Sequence, residues 1–141
     1  MLIQLSVRDF AIVETAELEF NTGMTVLTGE TGAGKSILVD ALSLALGARA
    51  SAETVRSGAQ RADVTAVFEI TENAAAKHWL RDHDLEEEDG NCWLRRTVTV
   101  EGRSKAYING RPVPVGSARE LGATLVDIHG QHEHQSLLRA E

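Results

Sequence analysis

Apolar and polar positions alternate in part over residues 2–8 and strictly over 16–20, a two-residue period that predicts two half-buried strands. Asn21, Thr22 and Gly23 form a turn signal before residues 24–27, which read as a third, more buried strand. The period then changes. Beyond a glycine cluster at 29–34, apolar residues stand at 37, 38, 41, 42, 45 and 46, predicting a helix over 36–46 that Gly47 stops. Residues 48–62 have no clear period and read as a loop with a short helix. Val64, Ala66, Phe68 and Ile70 share one face of a strand predicted over 63–70. Asn73 is a candidate cap for a helix over 74–81. Residues 93–100 and 105–109 predict a hairpin turning at 101–104, followed by a helix over about 117–122 and an apolar strand over 124–128.

Composition narrows the class. The 141 residues are 43% apolar and 25% charged, which suits one domain with a core rather than a disordered or disulfide-stapled chain. The longest apolar stretch, 37–46, is broken by Asp40 and Ser43, so no membrane partner is expected. Residues 1–9 lack a basic start followed by an apolar run, and the single cysteine, Cys92, has no internal partner; both point to a cytoplasmic setting.

The formal charge of −7 argues against a surface that coats nucleic acid as a whole. Residues 91–119 nonetheless hold Arg95, Arg96, Arg103, Lys105, Arg111 and Arg119 against one acid, Glu101. That cluster reads either as a DNA-backbone contact or, the preferred reading, as a solvated hairpin whose arginines meet the acids of 84–89. The acid run itself reads as a solvated turn, and Trp93 and Tyr107 as packing rather than as base-stacking platforms.

The sharpest chemical signal is Gly29-Glu30-Thr31-Gly32-Ala33-Gly34-Lys35-Ser36, which fits G-x-x-x-x-G-K-[ST] between an apolar strand and an apolar helix. Glycines let several backbone N–H groups converge on phosphate oxygens, and the helix start adds its positive end. Lys35 then neutralises the β and γ phosphates, while the Ser36 hydroxyl ligates Mg²⁺. ATP and Mg²⁺ are the expected cofactors. Hydrolysis needs a further group on Mg²⁺ and water. Asp127 is a candidate as the end of a Walker B strand, and Gln131 as the glutamine of a loop touching Mg²⁺ and water. His129, His132 and His134 resemble zinc ligands superficially, but a polar loop beside a nucleotide is the better reading.

With these residues in view, the chain resembles the N-terminal part of the RecN family of bacterial DNA-repair ATPases, relatives of the SMC proteins with an ABC-type head. The resemblance rests on residues 9–13 and 18–20, the P-loop with its preceding strand, residues 55–58, residues 102–104 with 108–110, and above all residues 127–135. It implies that Gln131, rather than Gln135, is the Q-loop residue with catalytic and metal roles, and that Asp127 is structural. It implies that Arg49 or Arg56 reaches nucleotide or DNA. At Ala11 and Ile12, where some relatives carry a polar or basic residue near the nucleotide, this chain is apolar, so adenine recognition has no assigned residue.

The expected fold is α/β, a P-loop NTPase of the ABC/SMC head type, with a mixed sheet, the P-loop helix and an antiparallel β layer. A Leu-Ser-Gly-Gly type signature, an Asp-Glu Walker B strand and sustained heptads are missing from residues 1–141. The chain is therefore expected to be one lobe of a head, binding ATP without turning it over alone. In the whole protein, dimerised heads would couple ATP to holding or bridging double-stranded DNA ends in break repair, in the cytoplasm at the nucleoid. Two rivals use the same loop: a small P-loop kinase with Asp127 as its carboxylate and Arg103 or Arg111 in a lid, and a non-catalytic, nucleotide-dependent binding module.

Overall fold

Strand β1 (Leu2–Phe10) turns back into β2 (Val13–Glu19) through Ala11 and Ile12, and its other edge pairs with β3 (Arg61–Glu69). β3 pairs with β4 (Asn91–Thr99), β4 with β5 (Ser104–Ile108), and β5 with the short β6 (Arg111–Val113). Every pairing among the described residues is antiparallel, giving one six-stranded sheet in the order β2-β1-β3-β4-β5-β6. This computed structural model describes residues 1–20 and 32–126, with residues 32–36 described by their backbone.

Register explains where the core lies. Leu5, Ala66, Leu94 and Ile108 stand opposite one another across four strands, and each is fully buried. One residue along, parity reverses the face: Ser6, Thr65, Arg95 and Tyr107 form a polar row that lines open grooves. Val64, Ala66, Phe68 and Ile70 are all buried, as their alternation predicted.

Among the described residues, three α-helices accompany the sheet: α1 (Gly32–Ala45), α2 (Ala74–Asp82) and α3 (Val115–Leu125). Ala41, Leu42, Leu44 and Ala45 of α1 join the same core cluster as the sheet's buried row, together with Leu80 of α2 and Leu121 of α3. Asn73 caps α2 as expected, its Oδ1 accepting from the Ala76 N–H at 3.0 Å. The short helix expected in the loop is a 3-10 turn at Ala52–Thr54.

Two sequence expectations change. α1 begins at Gly32, four residues before the predicted Ser36, so the second half of the glycine cluster is helical backbone. The strand predicted over 124–128 does not begin at 124, because Thr124 and Leu125 belong to α3; residues 127 and 128 lie outside the described residues. Ala118, Leu121, Gly122 and Leu125 are buried at helical spacing, so the 3.6-residue period of the apolar face outweighs the local run of strand-forming residues. The strand predicted over 24–27 lies outside the described residues.

Candidate nucleotide site

The first four amides of an α-helix have no acceptor within it, and the aligned peptide dipoles make that end positive. In α1 these amides belong to Gly32, Ala33, Gly34 and Lys35, with Ser36 next along the backbone. The sequence signature and the helix start therefore coincide, which is the arrangement an anion requires. Gly29, Glu30, Thr31, Asp127, Gln131, Gln135 and the three histidines at 129, 132 and 134 lie outside the described residues.

At its other end, α1 closes with a left-handed residue. Gly47 has φ +103°, and the Ala48 N–H donates to the Ser43 carbonyl at 3.0 Å while the Gly47 N–H donates to Leu44 at 3.1 Å. A side chain at Gly47 would put its Cβ 2.7 Å from the Arg119 Cα, so glycine is required there by both conformation and space.

The two candidate arginines differ. Arg56 is committed to the β1–β2 turn, where its guanidinium lies 3.6 Å from Asp9 and 3.9 Å from Glu14 and its N–H donates to the Asp9 carbonyl at 2.8 Å. That turn is unusual. Asp9 and Ala11 both adopt positive φ without being glycine, and Ile12 at its tip is 80% exposed. Arg49 is exposed and, among the described residues, has no ion-pair partner.

The basic hairpin resolves into separate roles. Arg95 forms a two-pronged pair with Asp63, at 3.0 and 2.6 Å, and its guanidinium lies 5.2 Å from the Tyr107 ring centre. Arg111 Nη1 donates to the backbone carbonyl of Asp84 at 3.1 Å, whereas Glu86 pairs with Arg81. The expectation that the hairpin arginines meet the acids of 84–89 is thus corrected: Glu86 engages Arg81, Arg111 reaches the Asp84 backbone rather than a carboxylate, and Arg95 reaches across the sheet to Asp63. Arg103, Lys105 and Arg119 remain exposed. Trp93 is 44% exposed and helps line an open groove of about 550 Å³ with Tyr107, Arg95 and Asn109, so it packs only in part.

Arg96 escaped the sequence reading. It is 2% exposed, and its Nη1 donates to the carbonyls of Leu44 and Ala48 at 2.8 and 2.7 Å. Burial, and then the neighbouring Arg119, hold its pKa below the ordinary guanidinium value. The available signal was parity, since Arg96 alternates with Leu94 and Val98, both fully buried. Cys92 is equally enclosed, and burial pushes its thiol up to about 12, so it is neither a nucleophile nor a ready metal ligand. Among the described residues, no three His, Cys, Asp or Glu side chains gather as a metal site, and no helix is long and apolar enough to cross a membrane.

Comparison with known proteins follows the same lines. Residues 4–115 match the family model described as an AAA domain. The DNA repair protein RecN of Vibrio cholerae is 51% identical over 141 residues, covering all of this chain and 25% of that protein. The chain spans about a quarter of the length of the curated relatives it matches, and the match falls in their N-terminal region. Among solved structures, the SMC head domain with a coiled coil and joint from Pyrococcus yayanosii superposes with a TM-score of 0.73 at 20% identity, covering 92% of this chain and 26% of that one. A chain from work on ATP-driven dimerization and DNA-stimulated activation of SMC ATPases gives 0.68 at 21% identity, over 98% of this chain and 90% of that one. These likenesses show the P-loop NTPase fold of SMC-type heads.

Proposed function

Because the chain belongs to the AAA-domain family and is similar along its whole length to the N-terminal region of RecN, we propose that residues 1–141 form the ATP-binding lobe of a RecN-like, SMC-type ATPase head acting in DNA double-strand-break repair. The observation that carries this reading is the coincidence of G-x-x-x-x-G-K-S with the start of α1, a helix packed into the core of the sheet. Amides 32–35 and Gly29 before them suit a polyphosphate, and the donor set fits ATP with Mg²⁺.

In this account the amides of residues 29–36 receive the phosphates and the Lys35 ammonium offsets their charge. The Ser36 hydroxyl ligates Mg²⁺. Gln131 orients the attacking water and touches the metal, while Asp127 has a structural part. When bound, ATP supplies the phosphoanhydride whose cleavage the assembled head performs. Arg49 or Arg56 contacts nucleotide or DNA; Arg56 is held at the β1–β2 turn by Asp9 and Glu14. The whole protein is proposed to pair two heads around nucleotide and to hold or bridge double-stranded DNA ends, in the cytoplasm at the nucleoid.

The kinase reading has less support. It uses Asp127 as its carboxylate, and Thr124 and Leu125, expected to open the strand leading to that residue, belong to α3. The test is a phosphate-release and phosphotransfer assay on this chain, run beside a MgATP titration. Binding without turnover is expected of one lobe; robust turnover or phosphotransfer by the chain alone would overturn the reading.

A further inference from the structure

Arg96 occupies a position the sheet reserves for apolar side chains. Its row across the strands is Val7, Val64, Arg96 and Ala106, all buried. Taking a guanidinium out of water costs several kcal/mol unless its charge is met, and a Leu or Met would fill the row without that cost. Among the described residues no carboxylate pairs with Arg96. The compensation comes from the end of α1. Leu44 lies in the last turn of that helix and Ala48 just past it; both carbonyls accept from Nη1, the Leu44 oxygen sharing itself with the Gly47 N–H at 3.1 Å. Nη2 donates to the Ser104 hydroxyl at 3.2 Å, tying the same guanidinium to β5, and among the described residues Nε has no partner.

The same turn of α1 is gripped a second time, by α3. A Cβ at Gly122 would lie 2.8 Å from the Leu46 carbonyl oxygen, and one at Gly47 would lie 2.7 Å from the Arg119 Cα. Backbone therefore meets backbone at residues 46–47, with Arg96 bound to the carbonyls on either side of them. A helix of 14 residues is a rod of roughly 21 Å, so fixing one end against the sheet sets where the other end points.

We infer that Arg96 is a positioning residue for the phosphate-binding end of α1, acting as a buried cationic pin at the opposite end of the helix. This rests on the nucleotide reading above. Its effect is exerted through the helix axis, because misplacement by about 1 Å at a phosphate cradle is enough to weaken binding and catalysis substantially.

The test compares the unaltered chain with Arg96→Met, Arg96→Lys and Ser104→Ala, and with Asn109→Ala as a variant that loses its ties to Leu85 and Trp93, outside α1 and α3. MgATP affinity is measured at low temperature, where each variant is verified to be folded, and backbone amide NMR shifts are recorded without nucleotide. The expected result is about ten-fold weaker MgATP binding by Arg96→Met, partial recovery in Arg96→Lys, and shifted amides at residues 32–36. Asn109→Ala is expected to leave both readouts unchanged. If Arg96→Met does not fold, Arg96→Lys and Ser104→Ala carry the comparison. Unchanged affinity in folded variants, with a lowered melting temperature alone, would overturn the inference. Should the unaltered chain bind no MgATP, the nucleotide reading fails separately. The amide shifts then decide for Arg96: changes reaching residues 32–36 support the pin, and changes confined to 44–48 contradict it.

Discussion

Asn73 joins the start of one helix to the end of another: its Oδ1 accepts from the Ala76 N–H at 3.0 Å, and its Nδ2 donates to the Thr124 carbonyl at 2.8 Å. A cap and a tertiary tie thus depend on one amide. Asn73→Ala is expected to lower stability by about 1–3 kcal/mol, since it removes the cap and leaves the Thr124 carbonyl without that donor. Asn73→Asp keeps the cap and loses the tie, so it should cost less than Asn73→Ala. Urea unfolding of the three proteins checks the order.

Much of this was readable in advance. Val64, Ala66 and Phe68 announce a half-buried strand by alternation alone, and Asn73 before an apolar-periodic segment announces its helix. The P-loop was legible because phosphate chemistry constrains residue type at fixed spacing. What escaped depends on contacts distant in sequence. The place of β1 inside the sheet, between β2 and β3, follows from pairings such as Leu5 with Ala66, which no local pattern encodes. Thr124 and Leu125 look like strand residues locally, yet the buried face of Ala118, Leu121 and Gly122 carries them into α3. Arg96 was counted with a basic surface because charge suggested exposure, although its parity with Leu94 and Val98 put it inside.

Gly122 should resist substitution despite sitting in a helix. Alanine has the better intrinsic helix propensity, by about 1 kcal/mol, but its Cβ would meet the Leu46 carbonyl oxygen at 2.8 Å. Gly122→Ala is expected to destabilise by about 1–3 kcal/mol through forced separation of the α1 and α3 ends. Thermal unfolding measures it, and a stabilised variant would show that the two backbones have room to part.

The pair between Arg95 and Asp63 crosses strands on the face that carries Tyr107, with the Arg95 side chain 41% exposed. Asp63→Ala should therefore cost no more than about 1 kcal/mol, and the loss should shrink at high salt. Denaturant curves at low and high ionic strength separate this surface contribution from packing.

Cys92 gives a pH dependence of known sign. Its thiol is raised from 9.0 to about 12 by burial, so the folded chain holds the proton after the unfolded chain has lost it. The contribution is fully present below pH 9.0 and is lost as pH rises towards about 12. Stability of the unaltered chain should fall more steeply across that window than stability of Cys92→Ala. A disulfide reagent at pH 8 should leave the native thiol unmodified and label it once urea is added.

The central claim is that the Gly29–Ser36 loop and the start of α1 bind the phosphates of MgATP. Calorimetric titration of MgATP into the folded chain, repeated with Lys35→Ala, tests it most directly. The account predicts saturable one-site binding that Lys35→Ala weakens by at least about ten-fold while the variant keeps its fold, because the ammonium meets the β and γ phosphates. Equal binding by the two proteins, or none by the folded unaltered chain, would contradict it.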